Sequence, residues 1–490
     1  MRKSGVLLPI SSLPGKYGIG SFSEESYKFV DFLASAEQKL WQILPLGPTG
    51  YGDSPYQSFS TFAGNPYFIS LEELIEEGFL LQEECEESNY GTDETKIDYE
   101  KIYHSRRLLL KKAYERSGIG KKEEFQQFVR ENSYWLDDYA LYMALKDELG
   151  GKSWTNWDEE LKLRKPEVLK QYREKLAEEI ESYCFQQYCF QKQWLKLKKY
   201  ANEKGIEVIG DIPIYVSLDS ADAWANPKLF QLDEHCNPKA VAGCPPDAFS
   251  ATGQLWGNPL YTWDYHKETG YDWWIKRIGY CFKLYDVVRI DHFRGFDEYY
   301  SIPYGEETAM HGHWEKGPGM SLFTALKNSL GEKPIIAEDL GFLTDSVIKL
   351  VKDTGYPGMK ILQFAFDSRE ESDYLPHNYV KNSVVYTGTH DNDTTAHWFE
   401  VLDPQDKEMA VDYMNLTNPA HACSEMIRMA FASVSDTCVI PMQDYLELGE
   451  EARINMPSTL GSNWSWRMEK DACSMELAKR MAKLVRVYKR

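Results

Sequence analysis

The segment YDVVRIDHFRGF, residues 285 to 296, places Arg289, Asp291, His292 and Arg294 on and just behind an apolar run of Val287, Val288 and Ile290. Other runs end in the same way. VIGDIPIYV carries Asp211, PIIAEDLG carries Glu338 and Asp339, and VVYTGTHDND carries His390, Asp391, Asn392 and Asp393. One carboxylate behind a strand is most often a helix cap or a solvated loop residue. The repeated pattern points to several carboxylates converging on one pocket. Alternation along Arg289-Ile290-Asp291 turns Arg289 and Asp291 to the same side, where Arg289 can lie below Asp291 and hold it ionised. Crowded carboxylates drive each other's pKa values apart, so one serves as nucleophile while another stays protonated as general acid. That division suits glycosidic bond cleavage, and a spacing of about 5–5.5 Å between the two predicts retention through a covalent intermediate.

Other chemistries compete for the same residues. His390, Asp391 and Asp393 with Asp291 and His292 are hard ligands for a divalent cation, yet HDND has no metal-loop spacing. His311 and His313 form an HxH pair, but in a glycine-rich loop away from any strand end. GPGMS and GPTGYG fit neither the phosphate-loop nor the dinucleotide pattern.

Positioning such residues takes strands whose C-terminal ends meet. Eight apolar runs read as strands: 5–10, 40–46, 207–215, 287–291, 334–338, 358–366, 383–387 and 437–442. They are continuous rather than alternating, as in parallel strands buried on both faces. Helical stretches between them make the expected fold class α/β, a (β/α)8 TIM barrel with large, mainly helical insertions, whose reactive residues lie at the strand ends. All 490 residues then form one catalytic domain, with a mainly helical insertion over about 60–200 and a second insertion over about 217–285. The latter lacks helical periodicity for some forty residues. It is rich in Pro, Gly and aromatics, and its segment over about 241–260 reads as an ordered functional loop.

Composition narrows the partners. A formal net charge of −21 argues against nucleic acid and against an anionic membrane surface, but not against a neutral ligand. Nine scattered Cys with no CxxC pair fit reduced thiols in a cytoplasmic protein. The apolar start, residues 5–8, is too short for a signal segment, and no run reaches membrane-spanning length. With 14 Trp and 32 Tyr, the chain has flat apolar faces suited to sugar rings.

GDIPIYV, VVRIDHFRGF, IIAEDLG and TGTHDNDT, in that order, resemble the conserved regions of the α-amylase superfamily, and within it the 4-α-glucanotransferases of the amylomaltase type. SSLPGKYGIGSF, WQILPLGPTGYGDSPYQSFSTFAGNPYFISL, AVAGCPPDAFSATGQLWGNPLYTW and GSNWSWR extend the resemblance over essentially the whole chain. It implies a retaining transferase that moves an α-1,4-glucan segment from a maltooligosaccharide or starch-type donor to the 4-hydroxyl of an acceptor, without a cofactor. Asp291 would be the nucleophile, Glu338 the general acid/base and Asp391 the residue that binds the distorted sugar. Arg289, His292, His390, Asn392, Asp211 and Tyr56 would support them. Asp247, Phe249, Gln254, Trp256 and Asn258 would wall the acceptor side, and Tyr51 would belong to a second glucan site. Cys236, Cys244 and Ala248 depart from the family pattern, which has a turn glycine, an aliphatic residue and often an aromatic one there. A hydrolase using water as acceptor, a non-catalytic glucan-binding protein and a metal-dependent barrel hydrolase are the rival readings.

Overall fold

The computed structural model describes residues 2–50, 52–246, 250–341, 343–459 and 461–490. Twelve strands occur among them: β1 (Lys3–Leu7), β2 (Leu40–Gln42), β3 (Glu207–Pro213), β4 (Ala240–Cys244), β5 (Gln254–Pro259), β6 (Val287–Asp291), β7 (Glu298–Pro303), β8 (His313–Lys316), β9 (Ile335–Ala337), β10 (Gly358–Ile361), β11 (Ser383–Tyr386) and β12 (Thr437–Pro441). Eight of them form one parallel sheet in the order β10-β11-β12-β1-β2-β3-β6-β9. The Ala337 N–H donates to the Pro357 carbonyl at 3.0 Å, bringing the two edges together, so the sheet is a nearly closed barrel. The eight strands are those expected from the sequence.

Their bounds are shorter than the apolar runs. The run after β1 turns at Pro9 into a 3-10 turn, Ile10–Ser12, and the run after β10 does so at Leu362–Phe364. Apolar residues at the barrel mouth fold back over the strand ends, so hydrophobicity outlasts the ladder. Strand does not alternate with α-helix throughout. Between β10 and β11 the regular elements are two 3-10 turns, Leu362–Phe364 and Pro376–Asn378. Elsewhere the helices follow the expected logic. Asp345–Thr354 starts where Thr344 Oγ1 accepts from the Val347 N–H, and it stops at Gly355, whose φ of 74° suits a residue without a side chain.

The long segment between β2 and β3 carries the helices Tyr99–Ser117, Glu123–Glu148 and Ala177–Glu203. Residues 241–260 are not loop throughout. Strands β4 and β5 join β7 and β8 in an antiparallel sheet of order β5-β4-β7-β8, which the sequence did not announce. Its strands are interrupted by Gly243, Gly257 and Pro259, which hide the alternation. Cys236, at the expected turn-glycine position, has φ 59°, a conformation that favours glycine. Its side chain is buried, and that burial offsets part of the backbone cost.

Strand β3 is fitted to β6 by a close approach. A Cβ on Gly210 would lie 2.2 Å from the Tyr285 ring, so only glycine lets that ring cover the strand before Asp211. Among the described residues no helix is long and apolar enough to cross a membrane.

Candidate active site

Strand β6 lies between β3 and β9, with Arg289 opposite Asp211 and Ile290 opposite Ala337. Arg289 is buried. Its Nη1 donates to both Asp211 oxygens at 2.7 Å, and its Nη2 meets Asp291 Oδ1 at 3.0 Å. One guanidinium thus serves two carboxylates. Asp211 is fully buried, whereas 28% of the Asp291 side chain stays open to the cleft.

Glu338 follows β9 directly. Its Oε2 accepts from the His292 N–H at 2.6 Å and its Oε1 from the Leu340 N–H at 2.8 Å. His292 has φ 53°, and this left-handed turn points its N–H at Glu338. A histidine tolerates that region better than most residues, and such strain is typical of functional sites.

Burial and these contacts set the electrostatics of the pair. Burial pushes Glu338 up to about 7, and the neighbouring Asp291 charge adds to the push against the two backbone donors. Burial also raises Asp291, to about 6, with Arg289 opposing and Asp211 and Asp391 assisting. Arg289 acts on Asp291 in the expected direction, favouring its charged form against burial, while sharing its charge with Asp211. Burial raises both groups, and they titrate as a pair.

The turn after β11 supplies the third carboxylate. His390 Nε2 lies 3.3 Å from Asp391 Oδ2 and 2.8 Å from the Tyr56 hydroxyl, which also donates to Asp211 Oδ2 at 2.8 Å. Asp391, His390, Tyr56, Asp211, Arg289 and Asp291 therefore form one continuous polar chain. Burial works to raise Asp391, but His390 and a hydrogen bond from Asn455 outweigh it and bring the group down to about 2. Burial likewise opposes charge on His390, yet Asp391 raises it overall. Asn392 does not join the chain. Its Oδ1 accepts from the Thr389 N–H and hydroxyl and so holds the turn that carries Asp391.

Residues far along the sequence complete the pocket. Asn455 Nδ2 donates to Asp391 Oδ1 at 2.6 Å, and Arg453 reaches both the Asp391 carbonyl and Asp393 Oδ2 at 3.3 Å. The Trp464 ring lies 5.8 Å from Tyr56 and 6.0 Å from His390. Sequence reading quoted the Trp464 segment but missed Asn455 and Arg453, which no local pattern marks.

On the small sheet, Trp256 meets His292 edge to face at 4.8 Å, and its Nε1 donates to Gln254 Oε1 at 3.0 Å. Asn258 is buried, donates to the Val216 carbonyl at 2.7 Å and accepts from Gln57 at 3.2 Å. Tyr51, Asp247, Ala248 and Phe249 lie outside the described residues.

Two buried ring nitrogens, His292 Nε2 and His390 Nδ1, have no hydrogen-bond partner among the described residues. Both nitrogens are thus left available to a ligand group. No group of three or more His, Cys, Asp or Glu that could hold a metal ion occurs among the described residues. The arrangement is suited to acid, base and nucleophilic work by side chains.

The sequence profile described as 4-alpha-glucanotransferase matches residues 8–473. The chain belongs to the 4-alpha-glucanotransferase family. Among its relatives, the 4-alpha-glucanotransferase of Clostridium butyricum is 52% identical, over 98% of this chain and 99% of the relative. That of Streptococcus pneumoniae is 51% identical, over 100% and 97%. Among solved structures, the amylomaltase from Streptococcus agalactiae in complex with acarbose superposes with a TM-score of 0.97 at 44% identity, covering 100% of both chains. Family membership thus extends along the full barrel and both insertions.

Proposed function

We propose that this member of the 4-alpha-glucanotransferase family transfers α-1,4-glucan segments by double displacement, with Asp291 as nucleophile and Glu338 as acid and base. Protonated Glu338 gives its proton to the glycosidic oxygen while an Asp291 oxygen attacks C1. The C1–O bond breaks, the reducing-end piece leaves with its new 4-hydroxyl, and a glucosyl ester forms on Asp291. Glu338, now a carboxylate, then takes the proton of an acceptor 4-hydroxyl as that oxygen attacks C1. The ester bond breaks, and two inversions restore the α-configuration.

The observation that carries this reading is geometric: Asp291 and Glu338 stand at the ends of adjacent strands, Arg289 meeting the first and the His292 and Leu340 N–H groups the second. Burial and the neighbouring Asp291 charge favour the proton on Glu338, against the two backbone donors. Sugar rings filling the cleft displace water and push Glu338 further up. Asp391 and the free nitrogens of His292 and His390 bind hydroxyls of the sugar at the broken bond. Tyr56, Asp211 and Arg289 hold that set in place.

The substrates are neutral maltooligosaccharides and starch-type glucans, compatible with an acidic protein because affinity comes from stacking and hydroxyl contacts. A cytoplasmic location fits the scattered thiols. Incubation with maltotriose alone tests the activity. Glucose with a ladder of longer maltooligosaccharides is expected, and glucose and maltose alone would mean that water is the acceptor.

A further inference from the structure

Asp444 lies on the four-residue helix Met442–Tyr445, which follows β12 directly, and it is 1% exposed. Among the described residues its carboxylate meets two threonines. Oδ1 accepts from the Thr395 N–H at 2.8 Å, and Oδ2 accepts from the Thr387 hydroxyl at 2.5 Å and the Thr395 hydroxyl at 2.7 Å. Three donors so close together call for a carboxylate, whose two oxygens offer about four lone-pair sites. Burial raises the group, with Asp393 adding to the rise and the three donors opposing it.

Both threonines are fully buried. Thr387 follows β11 directly, and Thr395 opens the helix Thr395–Val401. The turn between them, residues 388–394, carries His390 and Asp391. One side chain, placed by the barrel strand next to β11, therefore ties the two ends of this turn together. The helix already has a cap in Thr394, whose Oγ1 accepts from the His397 N–H, so Asp444 acts on the turn rather than as its cap. Gln363 braces the same turn: its N–H donates to the Thr387 carbonyl at 3.1 Å and its Nε2 to the Asp393 carbonyl at 2.8 Å. Gln443, next to Asp444, donates to the Ala452 carbonyl at 3.2 Å, at the end of the 3-10 turn that leads into Arg453 and Asn455. The short helix thus steadies both segments that close on Asp391.

We propose that Asp444 is a positioning residue for the transfer reaction: by clamping Thr387 to Thr395 it holds Asp391 where its carboxylate meets the sugar at the broken bond. This rests on the transfer activity proposed above and adds to it a residue that acts only through others. Displacing a binding carboxylate by a fraction of an ångström is costly because the distorted sugar is gripped only in one geometry.

The test is a double-mutant cycle on kcat/KM for α-maltosyl fluoride, read as fluoride release, with Asp444→Asn, Asp391→Asn and the pair. Asparagine keeps the size of Asp444 but has one acceptor oxygen, so part of the clamp survives. Asp444→Asn lowers kcat/KM about tenfold when Asp391 is present and about twofold or less when Asp391 is already asparagine. Asp444→Ala, which keeps no acceptor, lowers it about a hundredfold. Equal fold losses in both backgrounds overturn the positioning role, as does an Asp444→Asn protein with unchanged kcat/KM. In Glu338→Gln protein the same cycle is read as the Kd of maltotriose, without turnover. Coupled losses of binding, with a wild type that makes no longer maltooligosaccharides from maltotriose, would uphold the positioning of Asp391 and overturn the activity. Additive losses with a wild type that does make them would overturn the positioning alone.

Discussion

The backbone N–H of His292 donates to Glu338 Oε2 at 2.6 Å, so the residue next to Asp291 holds the carboxyl group on the adjacent strand. Asp291 and Glu338, the proposed nucleophile and acid, are thereby placed by two neighbouring parallel strands and one left-handed turn. The geometry of the pair is a property of the barrel and not of a loop.

The first consequence is a narrow pH profile. Transfer needs Asp291 ionised and Glu338 protonated, so kcat/KM should rise as pH passes about 6 and fall as it passes about 7. Asp391, held down to about 2, stays charged across this range. A rate that stays flat from mildly acidic to mildly alkaline pH would contradict the assignment.

Arg289 limits how far burial raises Asp291. Lysine in its place is a single compact cation that cannot serve Asp211 and Asp291 together. Arg289→Lys should move the acid limb of the profile to higher pH and lower the maximum rate. In the same network Asp211→Ala takes from the buried Arg289 one of its two carboxylates and should destabilise the protein by about 1.5–3 kcal/mol, measurable by denaturant unfolding.

Asn455 keeps Asp391 oriented and charged. A hydrogen bond to a charged group is worth about 1.5–3 kcal/mol. Asn455→Ala should therefore reduce kcat/KM about tenfold to a hundredfold while the melting temperature changes little. An equal fall in activity and in thermal stability would mark Asn455 as a packing residue instead.

Trp256 walls the cleft beside His292. Replacing the indole by alanine opens a path for water to the ester on Asp291, so Trp256→Ala should shift maltotriose products from the longer ladder toward glucose and maltose. Product chromatography reads the shift directly.

The barrel was legible because parallel strands are buried on both faces and so read as unbroken apolar runs, and charge stands out where such a run ends. Asp291, Glu338 and Asp391 were singled out that way, and the structure brings Asp291 and Glu338 to neighbouring strand ends, with Asp391 in the turn after β11. Arg289 and Asp291 share a side because strand side chains alternate. The small sheet was not legible, since glycine and proline break the alternation in β4 and β5 and β8 is four residues long. Asn455 was invisible for another reason. It reaches Asp391 from 64 residues away in sequence, and nothing in its own neighbourhood marks the contact. Asn258, given to the acceptor side by resemblance, donates to the Val216 carbonyl and accepts from Gln57.

The most direct test is to trap the ester. Glu338→Gln, treated with α-maltosyl fluoride, needs no acid to release fluoride but lacks the base that activates the acceptor. Intact-mass analysis should show one maltosyl unit added, and peptide mapping should place it on Asp291. No adduct, or an adduct that persists when Asp291→Asn is added, would contradict the double-displacement account.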